Sequence, residues 1–192
     1  MNDLTFEPVK DTRHSRFFEN GWDWKMGNKD TLKEYLETKI GKPDNHYYWI
    51  EIDNIPVGIL GLNIHPDHKQ WQTIIYLQPE NRKQNINETI HATLIHVFEE
   101  KQTPLIASID ISNIRSIKSF QTMLGKPGRP VHETTLNRKA ILHQLVNPIQ
   151  ESEARKANHK VKENLLHRTV INGDLSRQIN MLSIFSSNQT AD

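Results

Sequence analysis

The chain has 192 residues, 35% of them apolar, and 24 Lys and Arg stand against 23 Asp and Glu for a net charge of +1. At roughly 150 residues per domain this is one domain, or one domain with an appendage, and the near-neutral balance excludes a global field steering the protein onto nucleic acid or an anionic membrane. The absence of cysteine removes disulfides, thiolate nucleophiles and thiolate metal sites at once.

No stretch approaches the roughly 18 apolar residues that span a bilayer. The opening MNDLTFEPVKDTR lacks a basic-then-apolar signal pattern, so the expected address is the cytoplasm. His65 and His68 flank Pro66 and Asp67, yet no further ligand follows at a recognisable spacing, and no metal is expected. P-loop, zinc-protease and serine-esterase signatures are all missing.

In chain order, Leu4 and Phe6 alternate with polar neighbours and predict a short first strand over 4–9. Asp11-Thr12 open a helix carrying Phe17 and Phe18, and Leu32, Leu36 and Ile40 after Asp30 predict another. Between them lie Trp22 and Trp24, read either as a cap folded onto the core or as an aromatic wall for a substrate. From His46 the period changes to two: HYYWIEID, the turn Asp53-Asn54, the return strand IPVGILGLNI, the turn at Pro66-Asp67-His68 and the run QWQTIIYL predict an antiparallel meander. Ile90, Leu94, Val97 and Phe98 lie at helical spacing, Leu105–Ile111 suits a buried strand, and Asn113–Leu124 is again helical, with Gly125 as its C-cap. This strand, helix, strand order implies a right-handed crossover and a parallel strand pair.

Beyond Gly125, Pro127, Gly128 and Pro130 leave one or two irregular strands. Asn147-Pro148 then starts a helix with Ile149, Ala157, Val161 and Leu165 on one stripe, and Asp174 starts another with Leu175, Ile179 and Leu182. Residues 1–135 carry 16 basic and 18 acidic side chains, whereas residues 136–192 carry 8 and 5. The expected division is therefore a domain over 1–135 and a helical, mildly basic extension over 136–192. That extension either packs on its own domain or pairs two chains through Leu175, Ile179 and Leu182. Nucleic-acid contact through Arg155, Lys156, Lys160, Lys162 and Arg168 is not favoured, because the excess is only three charges.

The segment Tyr76–Asn87, YLQPENRKQNIN, sits where a strand hands over to a helix. Unpartnered first-turn amides and the helix dipole attract a phosphate there, and Arg82 and Lys83 add charge. Leu77, Pro79, Glu80 and Arg82, then the loop Arg82, Lys83, Gln84, Asn85, Ile86, Asn87, and later Asn113, Ser116, Leu124 and Gly125, together resemble the Gcn5-related N-acetyltransferase (GNAT) superfamily over residues 4–125. The resemblance implies a mixed α/β sheet with an antiparallel N-terminal meander and a parallel pair, flanked by helices. It also implies acetyl-CoA as co-substrate, and an acetyl group moved to an amine of a small molecule or peptide.

By that resemblance the cofactor-binding set is Tyr76, Leu77, Arg82, Lys83, Gln84, Asn85, Ile86, Asn87, Asn113, Ser116 and Phe120. The strand at Tyr76–Leu77 supplies the oxyanion N–H, Leu105–Ile111 forms the other lip of the cofactor gap, and Trp22 and Trp24 face the acceptor. Candidate bases are Glu51, His65 and Asp110. Asn85 and Asn87 stand where the family has glycines: Asn85 tolerates positive φ, and Asn87 is read as a helix N-cap. Phe120 replaces the tyrosine that in many members protonates the departing thiolate. A second reading is therefore a binding or assembly module with the fold but without turnover.

Overall fold

Seven strands of one sheet carry the alternating runs in the computed structural model, which describes residues 4–10, 18, 31–83, 85–148 and 173–186. The strands are β1 Leu4–Pro8, β2 Asn45–Ile52, β3 Ile55–Ile64, β4 Trp71–Leu77, β5 Leu105–Asp110, β6 Arg129–Glu133 and β7 Arg138–Val146. Their order is β1-β2-β3-β4-β5-β7-β6, with every neighbouring pair antiparallel except β4 and β5. The mixed α/β sheet, its N-terminal meander and its parallel pair are as the sequence leads one to expect. Asp53 and Asn54 both take positive φ, at 52° and 64°, the geometry that joins β2 to β3 in two residues.

The helices are α1 Leu32–Glu37, α2 Ile86–Glu100, α3 Ile114–Leu124, α4 Gly173–Asn180 and α5 Ser183–Ser186. Thr31 and Glu34 form a reciprocal capping box that starts α1. Asn113 caps α3 by accepting from the Ser116 N–H at 3.2 Å, and Gly125 ends it in the left-handed region at φ 65°. On one face of the sheet α2, α3 and α4 enclose the main core, where Ile90, Leu94, Val97, Phe98, Phe120 and Leu124 are buried. On the other, α1 and Phe18 cover Tyr47, Trp49 and Ile59, with Phe18 edge-on to Trp49 at 5.8 Å.

Residues 126–146, read from sequence as irregular, form the regular β6–β7 hairpin. Pro127, Gly128 and Pro130 obscure its start in the sequence, and β7 inserts beside β5 rather than at the sheet edge. The division at 135/136 thus falls in the turn between two paired strands. The stripe Leu175, Ile179 and Leu182 is buried in the main core of its own chain, and Phe185 packs on Phe98 at 5.0 Å. Gln178 accepts from the Phe6 N–H at 3.1 Å and donates to the Leu4 carbonyl at 3.4 Å, capping the exposed edge of β1. The apolar face offered for pairing two chains is consumed within one, a burial of roughly 1.5–3 kcal/mol per large side chain. The stripe starting at Ile149 lies outside the described residues, as do Trp22, Trp24, Gln84 and the side chain of Lys83.

Candidate active site

The parallel ladder between β4 and β5 is confined to Trp71↔Leu105 and Gln72↔Ile106. From Thr73 and Ala107 onward no register joins them, so the two strands part. The Gln78 N–H bonds the Val57 carbonyl at 2.9 Å, which sets the phase of the antiparallel β3–β4 ladder. Tyr76 and Ile74 therefore direct their amides to β3, and Ile75 and Leu77 direct theirs into the gap. This corrects the expectation for Tyr76, whose amide is turned away. Ile75 was missed, because which alternate residues face the gap is set by the pairing of β4 with β3. Close approach of β3 needs Gly58, where an added Cβ would stand 2.4 Å from the Tyr76 carbonyl oxygen.

Beyond Leu77 the chain runs through a 3-10 turn, Pro79–Lys83, into α2. Asn85 holds the left-handed region at φ 55°, as the replaced glycine would, and its side chain makes no capping bond. Ile86 begins the helix and Asn87 lies inside its first turn, so Asn87 is not the N-cap; its carbonyl instead accepts from His91 Nδ1 at 2.9 Å. The first-turn amides are thus not plugged by either asparagine. The Arg82 Nε donates to the Leu77 carbonyl at 2.8 Å, and its guanidinium lies over the Tyr76 ring at 5.5 Å. The remaining guanidinium N–H groups are exposed beside the start of α2, an arrangement suited to a diphosphate.

Asp110 and His65, far apart in sequence, are brought into one polar chain. The His65 Nδ1 accepts from the backbone N–H groups of Asp67 and His68, at 3.2 and 3.4 Å, which leaves Nε2 to donate to Glu133 at 3.3 Å. Glu133, fully buried, receives the Arg138 Nε at 2.6 Å. Arg138 in turn reaches Asp110 at 4.0 Å and Ser108 at 3.5 Å. Burial raises the Glu133 carboxyl, but the hydrogen bonds from His65 and Arg138 outweigh it and hold the group below the usual range. The hydrogen bonds from Ser112 hold the Asp110 carboxyl low as well. Asp67 pins the same hairpin by accepting from the Thr134 and Thr135 hydroxyls at 2.7 and 3.0 Å.

Sequence reasoning missed Glu133 and Arg138. A hairpin reading of HETTLNR would have placed them opposite one another. Glu51 lies at the β2 bulge opposite Pro56, on the end of the sheet where Gly58 meets Leu77. Above the same face as Ser108, the Tyr35 and Tyr47 hydroxyls bond at 2.9 Å. Burial raises both phenols.

Phe120 is buried between two imidazoles. His91 stands edge-on at 4.7 Å and His143 lies tilted at 5.3 Å. Burial pushes the His91 imidazole down to about 4. Asn113 and Ser116 line the exposed start of α3. Among the described residues no group of three or more His, Asp or Glu is arranged to hold a metal ion, and no helix is long and apolar enough to cross a membrane.

A parallel pair that parts beside an exposed arginine and a helix start without a side-chain cap leaves room for an extended ligand between two strands. Residues 9–125 match the model of the acetyltransferase (GNAT) family, and the chain belongs to that family, whose members normally use acetyl-CoA as co-substrate. No curated protein matches the sequence. Among solved structures, the chain is similar to a protein described as a GnaT-family acetyltransferase from Bordetella pertussis, at TM-score 0.54 and 14% identity over 74% of this chain and 95% of that one. A crystal structure of a protein described as an acetyltransferase gives 0.53 and 19% over 74% and 77%. A variant of the spermidine N-acetyltransferase SpeG from Vibrio cholerae gives 0.50 and 12% over 78% and 98%. At these identities the likeness is one of fold.

Proposed function

We propose that the protein is a cytoplasmic N-acetyltransferase that moves the acetyl group of acetyl-CoA to an amine. The observation that carries this reading is the parting of β4 and β5 after Gln72 and Ile106, next to exposed Arg82 and the uncapped start of α2. When bound, acetyl-CoA supplies the activated acyl group. Arg82 and the amides of Asn85, Ile86 and Asn87 hold its diphosphate, with Lys83 and Gln84 completing the loop and Asn113 and Ser116 on the opposite side. The backbone of Leu77 and Ile75 aligns the arm in the gap and stabilises the oxyanion.

Of the candidate bases, Asp110 stands at the end of β5, which borders the gap, and Glu51 stands at the end of β2, two strands away from β4 in the sheet. His65 has both ring nitrogens engaged and acts by fixing Glu133 and Arg138. Trp22 and Trp24 remain candidates for the acceptor side, and the acceptor set to test includes peptide amines and small amines, spermidine among them.

Isothermal titration with CoA and acetyl-CoA tests the reading. Micromolar binding by the native chain and a loss of tenfold or more in Arg82→Ala are expected. No binding at millimolar cofactor would reject it. Phe120 favours a second reading, a module that binds CoA without turnover. Cofactor binding with no acetyl transfer across an amine panel would select it, and a gain in rate in Phe120→Tyr would show that the acid position is intact in geometry and only unfilled.

A further inference from the structure

The vertex of the β4–β5 gap carries two polar side chains that the acetyl-transfer reading does not use. Thr73 and Ala107 are the first residues of each strand after the ladder ends, and Ala107 pairs with His143 on β7. Strand alternation puts Thr73 on the face of Trp71 and Ile75, which pack against the main core, and Ala107 belongs to that core. His143 faces it too, with its ring against Phe120. Thr73 is 5% exposed and His143 1%. The Thr73 Oγ1 and both His143 ring nitrogens are buried without a hydrogen-bond partner. Such groups are costly unless something else satisfies them.

The seat of the imidazole is also specific. A Cβ at Gly128 would stand 2.4 Å from Ile141 Cγ2 and 2.7 Å from His143 Cε1, so that glycine is required for the ring to lie where it does. Ala107, between the two polar groups, keeps the floor low.

We infer that Thr73 and His143, on either side of Ala107, receive the acyl end of the donor thioester, and that the chain's donors include a short, uncharged acyl group bearing a hydroxyl near its carbonyl. This rests on the acyltransferase reading above. A diphosphate at the start of α2 sends the pantetheine arm down the gap past Leu77 to Ile75, which leaves the acyl carbons nearest the vertex. Thr73 lies two residues deeper than Ile75, about 7 Å along the strand. Subtracting a hydrogen bond of about 2.8 Å leaves about 4 Å, the reach of a β-hydroxyl from its own carbonyl oxygen.

The threonine hydroxyl and the imidazole offer both donors and an acceptor, which a hydroxyl matches. Burial keeps the imidazole below its ordinary value, so it supplies no countercharge for a carboxylate tail. In the step itself the amine nitrogen bonds the carbonyl carbon, the carbon–sulfur bond breaks, and the hydroxyacyl chain transfers intact. The proton lost by the amine is matched by one gained by the CoA sulfur through base and solvent.

The test compares 3-hydroxybutyryl-CoA, butyryl-CoA and free CoA by titration calorimetry on the full chain. The hydroxylated thioester should bind roughly tenfold or more tightly than butyryl-CoA. Thr73→Val, an isosteric change, and His143→Phe should each erase that preference while leaving the affinity for free CoA unchanged. Equal or tighter binding of butyryl-CoA overturns the proposal and is the result a floor satisfied by resident water would give; so does a preference that survives both substitutions. Failure of free CoA to bind would instead strike down the acyltransferase reading, and this proposal with it.

Discussion

His91 ties acid stability to the first turns of α2. Its Nδ1–H is committed to the Asn87 carbonyl at 2.9 Å, its ring is 3% exposed, and it packs edge-on to Phe120. Burial lowers it from 6.5 to about 4, so the folded state holds it neutral while the unfolded chain takes up a proton below about 6.5. Stability from this group is therefore complete above pH 6.5 and is lost as pH falls toward 4. A depression of about 2.5 units at 1.36 kcal/mol each amounts to about 3 kcal/mol lost across that window, a large share of the 5–15 kcal/mol of a typical domain.

His91→Leu removes the titration and forfeits one hydrogen bond, about 1 kcal/mol at pH 7. Urea unfolding followed by circular dichroism between pH 7 and 4.5 should show the variant slightly weaker at neutrality and stronger than the native chain below about pH 5. His143, Glu133 and Asp110 titrate in both proteins and cancel in the difference. Parallel stability curves for the two would refute the reasoning, since no crossing can arise if His91 is free to ionise in the folded state.

Removing the carboxylate of Glu133 by substitution with alanine strands Arg138 and His65. Arg138 is 25% exposed and keeps Asp110 nearby, so the cost should fall at the low end for a broken buried pair, about 3 kcal/mol in urea unfolding; a change below about 0.5 kcal/mol would show that the network is ornamental. Ile179→Ala, at a fully buried position on α4, should cost about 2–5 kcal/mol in the same assay. A negligible effect would mean that α4 does not dock on α2 in solution.

Much of this molecule was legible from neighbours along the chain. The Asp53-Asn54 turn, the Ile90–Phe98 stripe, the Asn113 cap and the Gly125 stop all depend on dihedral preferences and hydrogen bonds that close within a few residues. The family pattern around Leu77–Arg82 is likewise a local string, and the positive φ of Asn85 follows from what asparagine tolerates.

What tertiary structure alone decided is each feature that joins distant segments. The phase of β4, which turns Tyr76 to β3 and Ile75 to the gap, depends on its partner strand. The Asp110, Arg138, Glu133 and His65 chain closes over a separation of 68 residues between its last two members, and the unpartnered nitrogens of His143 exist only because β7 enters beside β5. Helix α4 hides its apolar stripe on α2 of its own chain, because an amphipathic helix states which face must be buried and leaves its partner to the packing of the whole.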